Sequence, residues 1–578
     1  MKRLAGSILG VVVTAGLVAP PATAAPAVKQ PVAEGYGGAV ATVDLDASKV
    51  ALGVLKQGGN AMDAVVAGAA ALGVTEPYSA GLAGGGFIVY YDAKRNKVIN
   101  IDGRETAPAA MTATTFEGIP FADAVTSGLS VGVPGSVAQW DLALRRYGTL
   151  SLREALKPAA DLADRGFVVD QTFYDQTAAN AARFADFTST AALYLPGGQP
   201  PAVGSTFRNP DLARTYRELG RRGPSWLYGG PLGQDLVATV KNPPVTPGST
   251  RNVRPGLMEL ADLRAYRALT PEPTHVRYQG LDVYGMAPPS SGGSTVGEAL
   301  NILEATGKVT LSAYLDASRL AFADRNAYVG DPAYVNVPLR ELLSQQYAKE
   351  RACLIGETAL PNPAAPGSPD GRYGPCPSAA PGTKAEPLPE GPETTHLVAT
   401  DQWGNVAAYN ITIEQTGGSG IVVPGRGILL NNQLTDFTFG PAPGDPNLPA
   451  PGKRPRSSMA PTIVLKHGKP FLAVGSPGGA TIITTVLQIL LNRLDFGMSL
   501  PEAVEAPRAS QRNIPATQAE QAFIAQYGDE LTAKGHVFAV TSEIGAATAL
   551  EFLGRGRVQA VAEPVRRGGG SALVVRAG

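Results

Sequence analysis

Between Asn362 and Pro392, proline, glycine, alanine and serine crowd together, a composition suited to turns rather than to a packed core. At Glu393 the texture changes abruptly. TTHLVAT and VAAYNITI alternate and are rich in β-branched residues, and DQWGN between them carries turn residues, so the segment predicts a β-hairpin. If the loop is Asp401 to Asn405, Thr400 faces Val406, and stepping outward by twos puts Thr394 opposite Thr412, with Cβ atoms about 4.5–5.5 Å apart. A two-residue turn puts Ile413 there instead, and both registers remain open at this level.

The hairpin follows a tract suited to cleavage, which gives its first threonine a chemical meaning. Cutting the Glu393–Thr394 bond leaves Thr394 with a free α-amino group beside its own hydroxyl. That amine titrates at about 7.7–8.0, so part of it is neutral at pH 7 and one residue supplies both nucleophile and base. A second segment, FLAVGSPGGATIITTVLQILLNRL, reads as a buried strand ending at Gly475 and a helix beginning near Ala480. Gly478 and Gly479 then present bare N–H groups at a helix N-terminus, where a developing oxyanion is well held.

Other chemistries find less support. Basic and acidic residues balance at 49 each, so neither nucleic acid nor a membrane surface is indicated as a partner. The four histidines, His275, His396, His467 and His536, lack metal-ligand spacing. GLSVG at Gly128 to Gly132 matches a nucleophile elbow, but Pro134 disfavours the helix an elbow needs. GYGGAVATVD at Gly35 is a poor dinucleotide fingerprint, with no clear strand before it and its glycines out of phase.

Residues 1–24 have a basic start, an apolar stretch and an A-x-A site at Ala22 to Ala24, the pattern of a secretory signal peptide, so a secreted protein is expected. No later segment has about 18 uninterrupted apolar residues. In an exported protein Cys353 and Cys376 are expected to pair. Upstream of the hairpin, ASKVALGVLKQGGNAMDAVVAGAAALGVTEP predicts two helices broken at GGN, and GGGFIVYYDAKRNKVINIDGRE a strand pair. LREALKPAADLADRGF, STVGEALNILEAT and LSAYLDASRLAFADRNAYVGDP predict amphipathic helices.

The segments PETTH, NNQLTDF, KRPRSSMAPTIV, GSPGGATIITTVLQ, INIDGRETAP and MAPPSSGGST together resemble the signatures of the γ-glutamyltransferase (γ-glutamyltranspeptidase) family. The resemblance implies an α+β fold of the N-terminal-nucleophile hydrolase type, an αββα four-layer sandwich of two stacked antiparallel sheets between helical layers. It implies one precursor that cleaves itself between Glu393 and Thr394 into a large subunit (25–393) and a small subunit (394–578) that stay associated. It assigns Thr394 as nucleophile, Thr412 as its hydrogen-bonding partner, and Gly478 and Gly479 as the oxyanion hole. Arg104, Ser457 and Ser458 would take the α-carboxylate of a glutamyl donor, and Glu414, Gln433 and Asp436 its α-ammonium.

The implied activity, exported γ-glutamyl hydrolase and transferase, needs no cofactor or metal. Glutathione is the default donor and poly-γ-glutamate a further one, with water, an amino acid or a dipeptide as acceptor. Two rivals stand beside it: a cephalosporin (glutaryl) acylase, whose side chain has no α-ammonium for Glu414 and Asp436 to meet, and a non-catalytic exported glutamyl-binding protein. The 17 residues between Asp436 and Arg454 hold five prolines and no Tyr or Trp. Some relatives carry a longer lid there with an aromatic over the pocket, which this chain is expected to lack.

Overall fold

Twelve strands pair into a single antiparallel sheet: β1 (Val32–Thr42), β2 (Gly85–Asp92), β3 (Lys97–Asp102), β4 (Thr274–Tyr278), β5 (Leu281–Gly285), β6 (Thr395–Asp401), β7 (Val406–Thr412), β8 (Thr462–Lys466), β9 (Lys469–Gly475), β10 (Thr548–Gly554), β11 (Arg557–Ala562) and β12 (Ser571–Ala577). The computed structural model describes residues 28–374, 376, 382, 393–440 and 442–578. The leader read at residues 1–24 and part of the proline- and glycine-rich tract lie outside them.

The sheet order is β3-β2-β7-β6-β1-β11-β10-β9-β8-β5-β4, with β12 paired to β1. Its pivot is β1, which pairs with β11 through Val32–Tyr36 and with β6 through Gly38–Ala41. The change of partner falls at Gly37 and Gly38, whose φ angles of 80° and 128° favour glycine. A Cβ on Gly38 would also come 2.9 Å from the Thr400 carbonyl oxygen. GYGGAVATVD is thus part of a strand and its bulge, not a phosphate loop. Likewise GLSVG holds a short turn at Gly128–Ser130, where buried Ser130 donates to the Ser127 carbonyl.

Because β1 serves both sides, the ladder is continuous, and the two sheets expected from the resemblance are two limbs of one curled sheet. The limbs meet face to face. Asn410 on β7 donates to the Ser476 carbonyl beyond β9 at 2.9 Å, and His396 Nδ1 on β6 lies 2.7 Å from Thr548 Oγ1 on β10. Alternation along β2 sorts its side chains between two cores. Ile88 and Tyr90 join helices α1 (Leu45–Lys56), α2 (Ala61–Thr75), α3 (Ser136–Tyr147) and α4 (Leu152–Arg165). Phe87, Val89 and Tyr91 join the core that holds α5 (Gly292–Ala305), α6 (Leu311–Tyr328) and α7 (Thr481–Leu494).

The helices begin where their sequences predict. Gly58, with φ 91°, ends the first turn-out after α1, and Asn60 with Asp63 forms a reciprocal cap for α2, which is apolar all round and fully buried. Ser151 and Glu154 cap α4 in the same way. Cys353 and Cys376 are bonded.

His396 is fully buried between the limbs, and burial pushes its imidazole down to about 3. In the unfolded chain it titrates near 6.5, so between these values only the unfolded state takes the proton, and stability falls as pH falls. The slope is at most about 1.4 kcal/mol per pH unit for one group. Denaturant titrations at pH 7 and 4.5 are therefore expected to show the wild type losing about 2–3 kcal/mol more than His396→Asn over that interval.

Candidate active site

The hairpin closes as a five-residue loop because one carboxylate collects its donors. Asp401 Oδ1 accepts from the N–H groups of Trp403 and Asn405, and Oδ2 from the Asn405 side chain at 2.8 Å. Thr400 accordingly pairs with Val406 and Thr395 with Ile411. One step further, Thr394 Oγ1 donates to Thr412 Oγ1 at 3.1 Å, and the Glu414 N–H donates to the same oxygen at 2.9 Å. Of the two registers left open above, this is the one with Thr412 opposite Thr394.

Beyond β9 the chain turns through Ser476–Ala480 into α7. Gly478 and Gly479 have φ of 130° and 55°. Thr481 holds this turn by donating its hydroxyl to the Gly478 carbonyl at 2.7 Å. Neither glycine N–H donates to any partner among the described residues, so both remain available at the positive end of the helix dipole.

A charged wall faces the two threonines. Arg104, fully buried, follows β3, and its N–H donates to Asp102 Oδ1 at 2.7 Å. Its Nε donates to the Pro455 carbonyl, while Nη2 bonds the Arg456 carbonyl at 2.8 Å and pairs with the Asp436 carboxylate. Gln433 Nε2 also donates to Asp436 Oδ2, at 2.8 Å. Glu414 sits at φ 83° and accepts from the Thr435 hydroxyl. Ser458 Oγ accepts from Arg325 Nη2 at 2.6 Å, and Ser457 Oγ accepts from the Met459 N–H.

Every residue to which the resemblance gives a role in cleavage, catalysis or substrate binding, except Gly478, lines one cavity, Glu393 included. The free space is only about 20 Å³, room for about one water. None of the described residues of 437–453 is on its wall. That segment packs elsewhere: Phe439 stacks on Phe116 with ring centres 4.5 Å apart, and the Tyr334 hydroxyl donates to the Pro451 carbonyl.

Sequence reasoning missed a second cluster. Arg567, at φ 53°, donates from Nη1 to the Thr394 carbonyl at 2.7 Å and from Nη2 to Ser79 Oγ, and it pairs with both Glu76 and Glu393. Ser79 in turn donates to Glu393 Oε2 at 3.0 Å, so both sides of the Glu393–Thr394 junction are held. Burial pushes Glu76 up to about 7 against the pull of Arg567. Glu105 was also overlooked. It is fully buried with no partner for either carboxyl oxygen among the described residues, and burial pushes it up to about 8, so it is mostly neutral at pH 7. Arg325, which steadies Ser458 and donates to Ser291 Oγ, lies in a helix that showed only amphipathicity.

The chain is similar to known proteins over most of its length. The family model Gamma-glutamyltranspeptidase matches residues 47–573. The chain is 38% identical over 524 residues to the glutathione hydrolase proenzyme of Bacillus subtilis (strain 168), covering 87% of this chain and 86% of that protein. It is 36% identical over 549 residues to the glutathione hydrolase proenzyme of Escherichia coli (strain K12), covering 91% and 90%. Among solved structures, the cephalosporin acylase from Bacillus halodurans superposes with a TM-score of 0.82 at 27% identity, covering 96% of this chain and 99% of that one.

The turn before α7 depends on glycine at position 478. A Cβ there would come 2.5 Å from Thr481 Oγ1 and would adopt a backbone conformation costly for other residues. Gly478→Ala is expected to lower unfolding free energy by about 1–3 kcal/mol in a denaturant titration. Adding Thr481→Ala relieves the clash but not the backbone strain, so it should restore only part of the loss.

Proposed function

This chain belongs to the γ-glutamyltranspeptidase family, and from that premise we propose that it is a γ-glutamyl hydrolase and transferase, matured by self-cleavage, with Thr394 as its nucleophile. The observation that carries the reading is the Thr394 hydroxyl, bonded to Thr412 on the wall of a cavity that Arg104, Glu414 and Asp436 also line. That wall fits a free amino-acid head group: Arg104, Ser457 and Ser458 for the carboxylate, and Glu414, Gln433 and Asp436 for the ammonium.

Maturation would begin with attack of Thr394 Oγ on the Glu393 carbonyl carbon. The peptide bond becomes an ester, water hydrolyses it, and the released α-amino group is the base for later turnovers. The chain is thereby divided into 25–393 and 394–578. Since Glu393 is on the wall of the cavity, its departure makes room for the donor. In turnover the α-amino group takes the proton of Thr394 Oγ as that oxygen attacks the donor's γ-carbonyl. The oxyanion rests on the N–H groups of Gly478 and Gly479. The proton passes to the leaving amine, and water or an acceptor amine repeats the sequence on the γ-glutamyl-Thr394 ester.

Glutathione is the expected donor, supported by the glutathione hydrolase relatives. The rival reading, a glutaryl or cephalosporin acylase, draws on the likeness to the Bacillus halodurans acylase. Its side chain offers no α-ammonium to the carboxylates of Glu414 and Asp436 on the cavity wall, which is why we place it second. In the family's terms the two limbs of the curled sheet would be the middle layers of an αββα sandwich. Secretion rests on the leader pattern at residues 1–24.

N-terminal sequencing of purified wild type should find a second chain starting at Thr394, and Thr394→Ala should remain one chain without activity on a γ-glutamyl anilide. Maturation of Thr394→Ala in a protease-free preparation would overturn the mechanism. An uncleaved, inactive wild type would favour a binding protein instead.

None of the described residues of 437–453 is on the cavity wall, so water and bulky leaving groups should both reach the ester. γ-Glutamyl oligomers are therefore expected to be cleaved alongside glutathione, with hydrolysis competing strongly against transfer at low dipeptide concentration. Rejection of the oligomers together with dominant transfer would show that another part of the chain covers the site.

A further inference from the structure

The short segment after Asp436 does not cover the cavity, yet one of its side chains turns inward and joins the two arms of the head-group wall. Asn447 is almost fully buried. Its Nδ2 donates to the Asp436 carbonyl at 2.6 Å, and its Oδ1 accepts from the Arg456 N–H at 2.8 Å. Arg456 passes the connection on, since its carbonyl accepts from Arg104 Nη2, and that same nitrogen pairs with the Asp436 carboxylate. The contacts close a circuit from Asn447 through Asp436, Arg104 and Arg456 back to Asn447.

Asn447 is itself fixed. Buried Lys453 donates its ammonium to the carbonyls on either side of it, Pro446 at 2.7 Å and Leu448 at 2.8 Å. The Thr438 N–H bonds the Asn447 carbonyl, and the Asn447 N–H bonds Asp445 Oδ1 at 2.7 Å. A carboxamide suits this position because it offers one donor and one acceptor in a fixed plane. An aspartate would set an oxygen against the Asp436 carbonyl.

We infer that Asn447 is a positioning residue for donor specificity: by tying the Asp436 backbone to the Arg456 backbone, it sets the separation between the anion and the cation that read a zwitterionic α-amino-acid head group. The inference rests on the functional reading above and adds a residue that would not touch substrate. Its loss should act on recognition of the α-ammonium and α-carboxylate together, and much less on attack by Thr394, whose hydroxyl bonds Thr412 and no member of the circuit.

The test compares wild type, Asn447→Ala and Asn447→Asp as purified full chains. The readouts are kcat and KM on a γ-glutamyl anilide and on the glutaryl anilide that lacks the α-ammonium, and calorimetric affinities for L-glutamate and glutarate. Both variants are expected to self-cleave, to raise KM for the γ-glutamyl anilide with kcat little changed, and to narrow the preference for glutamate over glutarate by about tenfold. Asn447→Asp is close to isosteric and carries the test if Asn447→Ala does not fold. An unchanged preference in the folded variants, or equal losses on both anilides, would overturn the inference. A wild type that cleaves neither anilide would count against the functional reading, and the two affinities would still decide the role of Asn447.

Discussion

The Asp401 carboxylate takes three hydrogen bonds inside its own loop and a fourth from the Ala61 N–H at the start of α2. It thereby sets the length of one turn and ties that turn to the helix packed beneath it. Strand pairing has a period of two, so a loop one residue longer or shorter would send every β7 side chain to the opposite face. Thr412 would then leave Thr394, and Tyr409, which bonds Trp140 and Gln139 within the first core, would leave its partners. The Thr394–Thr412 pair and the core packing are thus consequences of the same register.

A second constraint brings the reacting groups together from distant parts of the chain. Gly475 lacks the Cβ that would fall 2.3 Å from His396 Nε2, and the imidazole of β6 fits against β9 because of it. His396 also meets Thr548 on β10, so the strand that follows Thr394 is held to the strands that precede and flank the Gly478–Gly479 turn. A larger residue at 475 would separate the limbs and with them Thr394 from the Gly478–Gly479 turn. Burial keeps the imidazole neutral here, so its contribution is shape and one hydrogen bond rather than proton transfer.

The cavity wall around Arg104 holds more acid than base, and two arrangements make that tolerable. Arg104 lies between Asp436 and two backbone carbonyls, which concentrates donors where the negative groups converge. Burial pushes Glu105, next in sequence, up to about 8 against the pull of Arg104, so it adds little charge behind the cavity at pH 7. Glu414 and Asp436 bring their carboxylates to the same cavity wall, and these are the groups we propose for a donor's ammonium.

Local sequence chemistry determined a large share of this. The GGN break, the caps at Asn60 and Ser151, the strand pair of β2 and β3, and the Gly-Gly turn into α7 are decided within a few residues, by backbone freedom and by side chains bonding adjacent N–H groups. TTHLVAT and VAAYNITI likewise announced a hairpin and the pairing of its threonines, although a shorter turn fitted the same letters until the Asp401 hydrogen bonds chose between them. Only the tertiary structure decided that β1 exchanges partners at Gly37–Gly38 and so joins the expected sheets into one, because hydrogen bonding to two different strands leaves no trace in local periodicity. The same holds for the Arg567 cluster at the Glu393–Thr394 junction and for Arg325, Glu105 and Asn447. Their roles come from burial and from partners in other segments, and a charged or amide side chain reads as surface until the chain folds and removes the water around it.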